Sequence, residues 1–272
     1  MPRASVHHTS IPELRGIEFD HRTARWELSW RNDLGQTTTR AADSLPDLVA
    51  SIDRNPIVAA SSEPMDTVRA GEPILLAPGV AGILLHELIG HAAEQGDLSV
   101  GTRVLPPGTD LRSLPARPDL DDEGVPVQAH DLVVDGEYAI PVHDRASGGP
   151  PSGDAWCAAH GVAPKARLIR LTVTSYIPGR STSDGLVHVL RSTGGAYFHG
   201  FAMVNVALAR RGTRPIAAVR LGVSIADLAR GQWGPAGQVQ IADGVCVKDG
   251  EALPSIIASP PLILEGASLW PA

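Results

Sequence analysis

At 272 residues the chain is long enough for one large domain or two smaller ones with a substantial core. Apolar residues make up 43% and charged residues 19%, and the net charge is −7 with no block of Lys or Arg. That balance argues against a nucleic-acid or anionic-membrane surface, because phosphate binding needs clustered positive charge. Two cysteines, Cys157 and Cys246, make no disulfide framework. The longest uncharged apolar run, Ile74 to Leu85, is twelve residues broken by Pro78 and Gly79, too short to span a bilayer. The opening MPRASVHHTSIPELRG lacks the apolar core of a secretory signal, so a cytoplasmic location is expected.

Residues 17 to 40 alternate loosely, with Ile17 and Phe19, then Trp26, Leu28 and Trp30, around a polar Asp20-His21-Arg22-Thr23 turn. This spacing predicts a β-hairpin. Residues 44 to 54 predict a short helix capped by Ser44 or Asp43. A Pro- and Ser-containing stretch, 55 to 73, leads into the main domain.

From 80 to 95 the period turns helical: Ala81, Leu84, Leu85, Leu88, Ile89 and Ala92 recur on one face. Beyond it, strand-like segments dominate: DLVVDGE, ARLIRLTVTSYIPG, LVHVLRSTGG, AYFHGFAMVNVALARRG and QVQIADGVCVKDGE. Asp-Gly pairs at 135–136, 184–185, 243–244 and 249–250 mark expected turns. The expected architecture is α+β, a large, mainly antiparallel β structure with one helix set into it.

That helix reads Leu85-His86-Glu87-Leu88-Ile89-Gly90-His91-Ala92-Ala93-Glu94. Stepping about 100° per residue puts His86, Gly90, Glu94, Glu87 and His91 within an arc of about 140°, and the apolar residues on the complementary arc. Gly90 lies between the two histidines, where a side chain is expected to intrude on an ion. Glu94 is placed to cap or orient a ligand from behind. The familiar H-E-x-x-H stacks its histidines at i and i+4 so that both reach one ion. Here they are five apart, which splays them on an ideal helix. A local π-turn or a break at Gly90 would rotate them together, and such bulges are frequent at functional sites. An H-E-x-x-x-H string is unspecific by itself; the amphipathic helix around it makes it a site hypothesis.

The string LLHELIGHAAEQGD closely resembles the metal-binding segment of the TldD/PmbA family of zinc metallopeptidases, whose TldD-type members carry H-E-x-x-x-H. Three further segments are similar to that family in the same order: PDLDDEGVPVQAHDLVVDGE, LTVTSYIPG (with Thr174 where Asn is usual) and CVKDGEALPSIIASPPLILEGASLW. The resemblance covers about residues 72 to 272, giving an N-terminal segment over 1–71 and a TldD-like catalytic domain over 72–272. It implies zinc held by His86, His91 and Cys246, with Glu87 as the catalytic base. It also implies a dimer, preferably with a PmbA/TldE-like paralogue lacking H-E-x-x-x-H. Two neutral imidazoles and one thiolate leave a zinc site at +1 with a fourth position open, the charge of a His₂Glu site. Only 85 residues precede His86, where full-length members carry a large domain, so a short form is expected.

The bland alternatives are a small buried hydrophobe at Cys246 and a structural thiol at Cys157. Asp121, Asp122 and Glu123 read as a solvated turn. His130, His143, His160, His188 and His199 read as structural or exposed, each able to stand in as a ligand if Cys246 does not serve. The leading function is hydrolysis of amide bonds in small or unfolded peptides, in a dedicated biosynthetic or maturation step. The alternatives are zinc amidase chemistry on a non-peptide or side-chain amide, and a non-catalytic subunit whose zinc stabilises an assembly. Retention of Glu87 counts against the last, because a structural site needs no base.

Overall fold

The computed structural model describes residues 13–20, 25–31, 37–42 and 72–271, apart from 117–118, 160, 180–185, 217–218, 237, 250 and 266. The chain divides into two compact units, Met1–Met65 and Asp66–Ala272. In the first unit, β1 (Glu13–Asp20), β2 (Arg25–Arg31) and β3 (Thr37–Ala42) form an antiparallel sheet. Ile17 lies opposite Leu28 and Phe19 opposite Trp26, so the expected hairpin is present and gains a third strand. The helix expected over 44–54 and the turn at 184–185 lie outside the described residues.

The second unit is α+β, as expected: mostly strand, with one long helix. Its strands are β4 (Ile74–Leu76), β5 (Asp110–Ser113), β6 (His130–Val134), β7 (Glu137–Tyr138), β8 (Ala155–Trp156), β9 (Lys165–Ala166) and β10 (Arg170–Ser175). They continue with β11 (Val187–Phe198), β12 (Phe201–Arg211), β13 (Arg214–Ile216), β14 (Val219–Ser224) and β15 (Gln232–Trp233). Last come β16 (Gln240–Lys248), β17 (Glu251–Ser259), β18 (Leu262–Leu264) and β19 (Ser268–Pro271). One sheet runs β16-β17-β10-β5-β6-β7. The other runs β15-β18-β4-β11-β12-β14-β19, with β13 paired to β12. Pairing is mainly antiparallel; β10 with β17 and β11 with β4 are parallel. A small separate pair joins β8 and β9.

Alternation sets which face each strand buries. Along β17, Leu253, Ser255, Ile257 and Ser259 are buried while Ala252, Pro254 and Ile256 are exposed, the period of two that a half-buried strand requires. The long helix lies between the two sheets. It starts as α1 (Pro78–Leu85), with Pro at its first turn where the missing N–H costs nothing. It touches β4, β11 and β12 on one side and β16 and β17 on the other. A Cβ on Gly82 would come within 3.3 Å of Ile257, so the helix seats closely on β17. The buried surface extends all round: residues 84–93 are buried without a break. The polar arc read from the sequence therefore faces protein, not solvent. Among the described residues no helix is long and apolar enough to cross a membrane.

Two local expectations change. The Asp-Gly at 243–244 is no turn, because β16 runs straight through it and all nine of its residues pair with β17. That ladder outweighs the local preference of one dipeptide. The strand continues to Lys248, which faces Glu251, and Asp249 beyond it adopts φ +54°. At 135–136 the turn forms as expected, with φ +49° at Asp135 and +80° at Gly136. Asp121 is buried, not solvated: its carboxylate accepts from the backbone N–H of Glu123, Val125 and Ala155 and so ties the acidic loop together.

Candidate metal centre

The five-residue histidine spacing is resolved by the backbone. After α1, residues His86–Gly90 form one π-helical turn, and α2 (His91–Glu94) follows. The N–H of His91 bonds to the carbonyl of His86, the i→i−5 bond that defines a π-turn. This departure from α geometry is the one the spacing predicts. It brings the two imidazoles to 4.7 Å between ring centroids, nearly edge to face. A Cβ on Gly90 would lie 3.5 Å from His86 Nδ1 and 3.7 Å from Leu171 Cδ1. That is ordinary van der Waals contact, so a Cβ would fit here, and the expectation that glycine clears space for an ion is not supported.

Cys246 completes the cluster from β16. Its Sγ lies 3.5 Å from His91 Nε2, and one donor atom from each of His86, His91 and Cys246 falls within 4.8 Å of the others. Among the described residues this is the group of metal-ligating side chains that comes together. The fit to a metal rests on His86. Both of its ring nitrogens are buried and make no hydrogen bond among the described residues. Buried polar atoms are normally satisfied, and an imidazole facing a thiol and a second imidazole is a donor set suited to zinc. Burial would push the Cys246 thiol up, but the two imidazoles bring it down to about 6. The site thus favours the thiolate, the form that binds metal.

Glu87 points into the same space, its Oε2 3.7 Å from His91 Nε2. Burial raises its pKa, partly offset by the two imidazoles. Above it passes β11, and a Cβ on Gly195 would fall 2.8 Å from Glu87 Cγ. The absent side chain at Gly195 is therefore what lets the carboxylate stand where it does. A Gly-Gly pair inside a strand is a pattern that could have pointed to this close approach, and the sequence reading missed it.

Glu94 is fully buried behind His91. Its Oε2 accepts from His91 Nδ1 at 2.9 Å and from Lys248 Nζ at 2.8 Å, and its Oε1 accepts the Leu168 N–H at 2.7 Å. Burial alone would raise this carboxyl, but His91 and Lys248 hold it at about 2. With the Nδ1 proton fixed on Glu94, Nε2 is the nitrogen turned to the cluster. Arg167, fully buried, brings Nη2 to 3.9 Å from Cys246 Sγ. Neither Lys248 nor Arg167 carries a sequence signal of its own.

The remaining residues lie elsewhere. His130 Nε2 donates to the Ser152 carbonyl at 2.7 Å and sits 3.3 Å from Asp154. His199 is exposed beside Asp97, and His188, on β11, is lowered by burial and Arg210. His143 is held through its backbone N–H by Ser152 Oγ, and His160 lies outside the described residues. The Cys157 thiol contacts Asp122 and is pushed up by burial.

No family model matches this chain. It is 25% identical over 230 residues to the Metalloprotease TldD homolog of Haemophilus influenzae, covering 71% of this chain and 47% of that protein. It is 30% identical over 122 residues to Metalloprotease slr0863 of Synechocystis sp., covering 38% and 26%. In fold it is similar to TldE from Thermococcus kodakarensis, with TM-score 0.57, 15% identity, and coverage of 90% of this chain and 62% of that one. The sequence similarity thus runs to a TldD homolog and the fold similarity to a TldE. A second solved structure, described as a putative modulator of a DNA gyrase from Thermotoga maritima, gives TM-score 0.55 at 18% identity, covering 90% and 61%. The chain spans less than half the length of the curated relatives it matches. Both of those relatives are named metalloproteases.

Proposed function

We propose that this chain is a zinc-dependent metallopeptidase of the TldD type, acting on small or unfolded peptides in a dedicated biosynthetic or maturation step. The observation that carries the reading is the orphaned His86 imidazole beside His91, Cys246 and Glu87. His86, His91 and Cys246 would hold the ion. The chemistry a bound zinc supplies is Lewis acidity toward water and toward a carbonyl oxygen. Glu87 takes the proton of the attacking water on its carboxylate as the new C–O bond forms. It then gives that proton to the leaving amine as the C–N bond breaks. Glu94 keeps His91 in one tautomer throughout. A cytoplasmic setting suits this reading, since Cys246 must stay a free thiol to serve as ligand, and both cysteines are free.

The test is metal analysis of the purified protein together with hydrolysis of a mixture of unstructured peptides. About one zinc per chain is expected, with cleavage abolished by a chelator and restored by zinc. Protein without bound zinc would sink the proposal. Zinc with no hydrolysis would favour the subunit whose metal is only structural.

We also propose that the chain works as a dimer, preferably with a TldE-like paralogue lacking H-E-x-x-x-H. Supporting this, β16 ends its sheet and turns Ile241 and Val247 outward at 69% and 66% exposure, with Val245 between them. An open strand edge with an apolar face favours a partner. Size exclusion with light scattering, on the chain alone and after co-expression with the paralogue, is expected to give a dimer and a gain in activity. A stable monomer with full activity and no gain would defeat it.

A further inference from the structure

We propose that Lys248 is a positioning residue of this centre: its ammonium on Glu94 ties the strand that carries Cys246 to the helix that carries His91. The inference rests on the zinc reading above. Lys248 and Cys246 are two residues apart on β16 and so project from the same face. The Lys248 side chain is 17% exposed and that of Glu94 0%, so the contact is an interior one. Both oxygens of Glu94 are taken, by His91 and Lys248 on Oε2 and by the Leu168 N–H on Oε1. The carboxylate cannot swing without losing one of them. An error in the height of β16 against the helix would therefore be felt at the His91 ring and at the Cys246 sulfur together.

The opposite side of the hairpin end is held as well. Arg167 donates to the carbonyls of Lys248 and Glu251, both at 3.4 Å, where β16 ends and β17 begins. Residues 167 and 168 thus meet the hairpin through Arg167 and Glu94 through Leu168. Lys248 closes this ring of contacts between helix, hairpin and the segment before β10. A catalytic site tolerates little looseness, and the partners of a ligand commonly alter metal affinity by about 10–100-fold.

Electrostatics and bracing make opposite forecasts for Lys248→Met. Removing a positive charge beside a bound cation should tighten binding by Coulomb attraction, whereas losing the tie should weaken it. The experiment measures zinc affinity of the intact chain by competition with a chromophoric chelator, and the visible spectrum of the cobalt-loaded protein. Lys248→Met is expected to bind zinc about 10–100-fold more weakly and to change the cobalt ligand-field bands. Lys248→Gln, which keeps a polar chain but removes the charge, should do the same if Lys248→Met is insoluble. Combining Lys248→Met with Glu94→Gln should bind no more weakly than Glu94→Gln alone, because Lys248 reaches His91 only through Glu94. Wild-type affinity or tighter binding in Lys248→Met, with only its metal-free melting temperature lowered, would assign Lys248 a merely structural role and overturn the inference. A wild type that binds no zinc would sink the zinc reading itself, and this inference with it.

Discussion

Replacing Glu87 by Gln is expected to leave about one zinc per chain and the fold intact while peptide turnover falls by about 10²–10⁴-fold. The substitution keeps the shape of a side chain that is only 11% exposed and packed beneath Gly195. It removes no member of the His86, His91 and Cys246 cluster. What it removes is the group able to accept a proton beside the attacking water. Stability should not fall. Burial raises the pKa of Glu87 in the folded chain. The folded state therefore resists its ionisation: the penalty is absent below the ordinary carboxylate pKa and complete above the raised one. Gln carries no such penalty at neutral pH. Turnover within about threefold of wild type, measured at equal zinc content, would take Glu87 out of the chemistry.

The half of the site carried by the helix was legible because a helix is local. Periodicity from Ala81 to Ala92 gives the element, and the polar arc collects His86, Glu87, His91 and Glu94. The five-residue spacing demands a wider turn than α, which the π-turn at His86–Gly90 supplies. The other half comes from 155 residues away in sequence. No spacing rule links Cys246 to His91; only the resemblance of the C-terminal segment to a known family pointed to it. Lys248, Arg167 and Leu168 escaped for the same reason, since their roles exist only once β16 and the segment before β10 lie against the helix. Gly195 is a middle case: Gly-Gly in a strand announces a close approach but not to what. The misread Asp-Gly at 243–244 and the buried Asp121 mark the converse limit. Turn chemistry is a local vote, and a nine-residue ladder or three converging backbone N–H groups overrule it.

Removing any one of the three ligands is expected to have the largest effect on the metal. A structural zinc site is worth about 10–16 kcal/mol in apparent binding free energy. Losing one of three protein ligands should therefore weaken binding by about 10²–10³-fold or more. Cys246→Ala is the sharpest of these variants, because Cys246 was assigned by resemblance and joins the cluster only through the fold. The side chain is 5% exposed, so its truncation costs packing as well. Cys246→Ser keeps the volume and removes only the thiolate, which separates the two effects. A serine hydroxyl stays protonated where the cysteine is drawn down to about 6, so it should rescue stability but not zinc. His91→Ala should match Cys246→Ala in metal loss, and it also takes from Glu94 its bond to Nδ1 while leaving the bond from Lys248. Substitution by another histidine is not expected to mask the loss. His130 is committed to Ser152 and Asp154, and His199 is out at the surface beside Asp97. Metal analysis after dialysis against a weak chelator reads the result directly. Full zinc retention in Cys246→Ala would remove the thiol from the ligand set, and full retention in His91→Ala as well would show that the ion sits elsewhere.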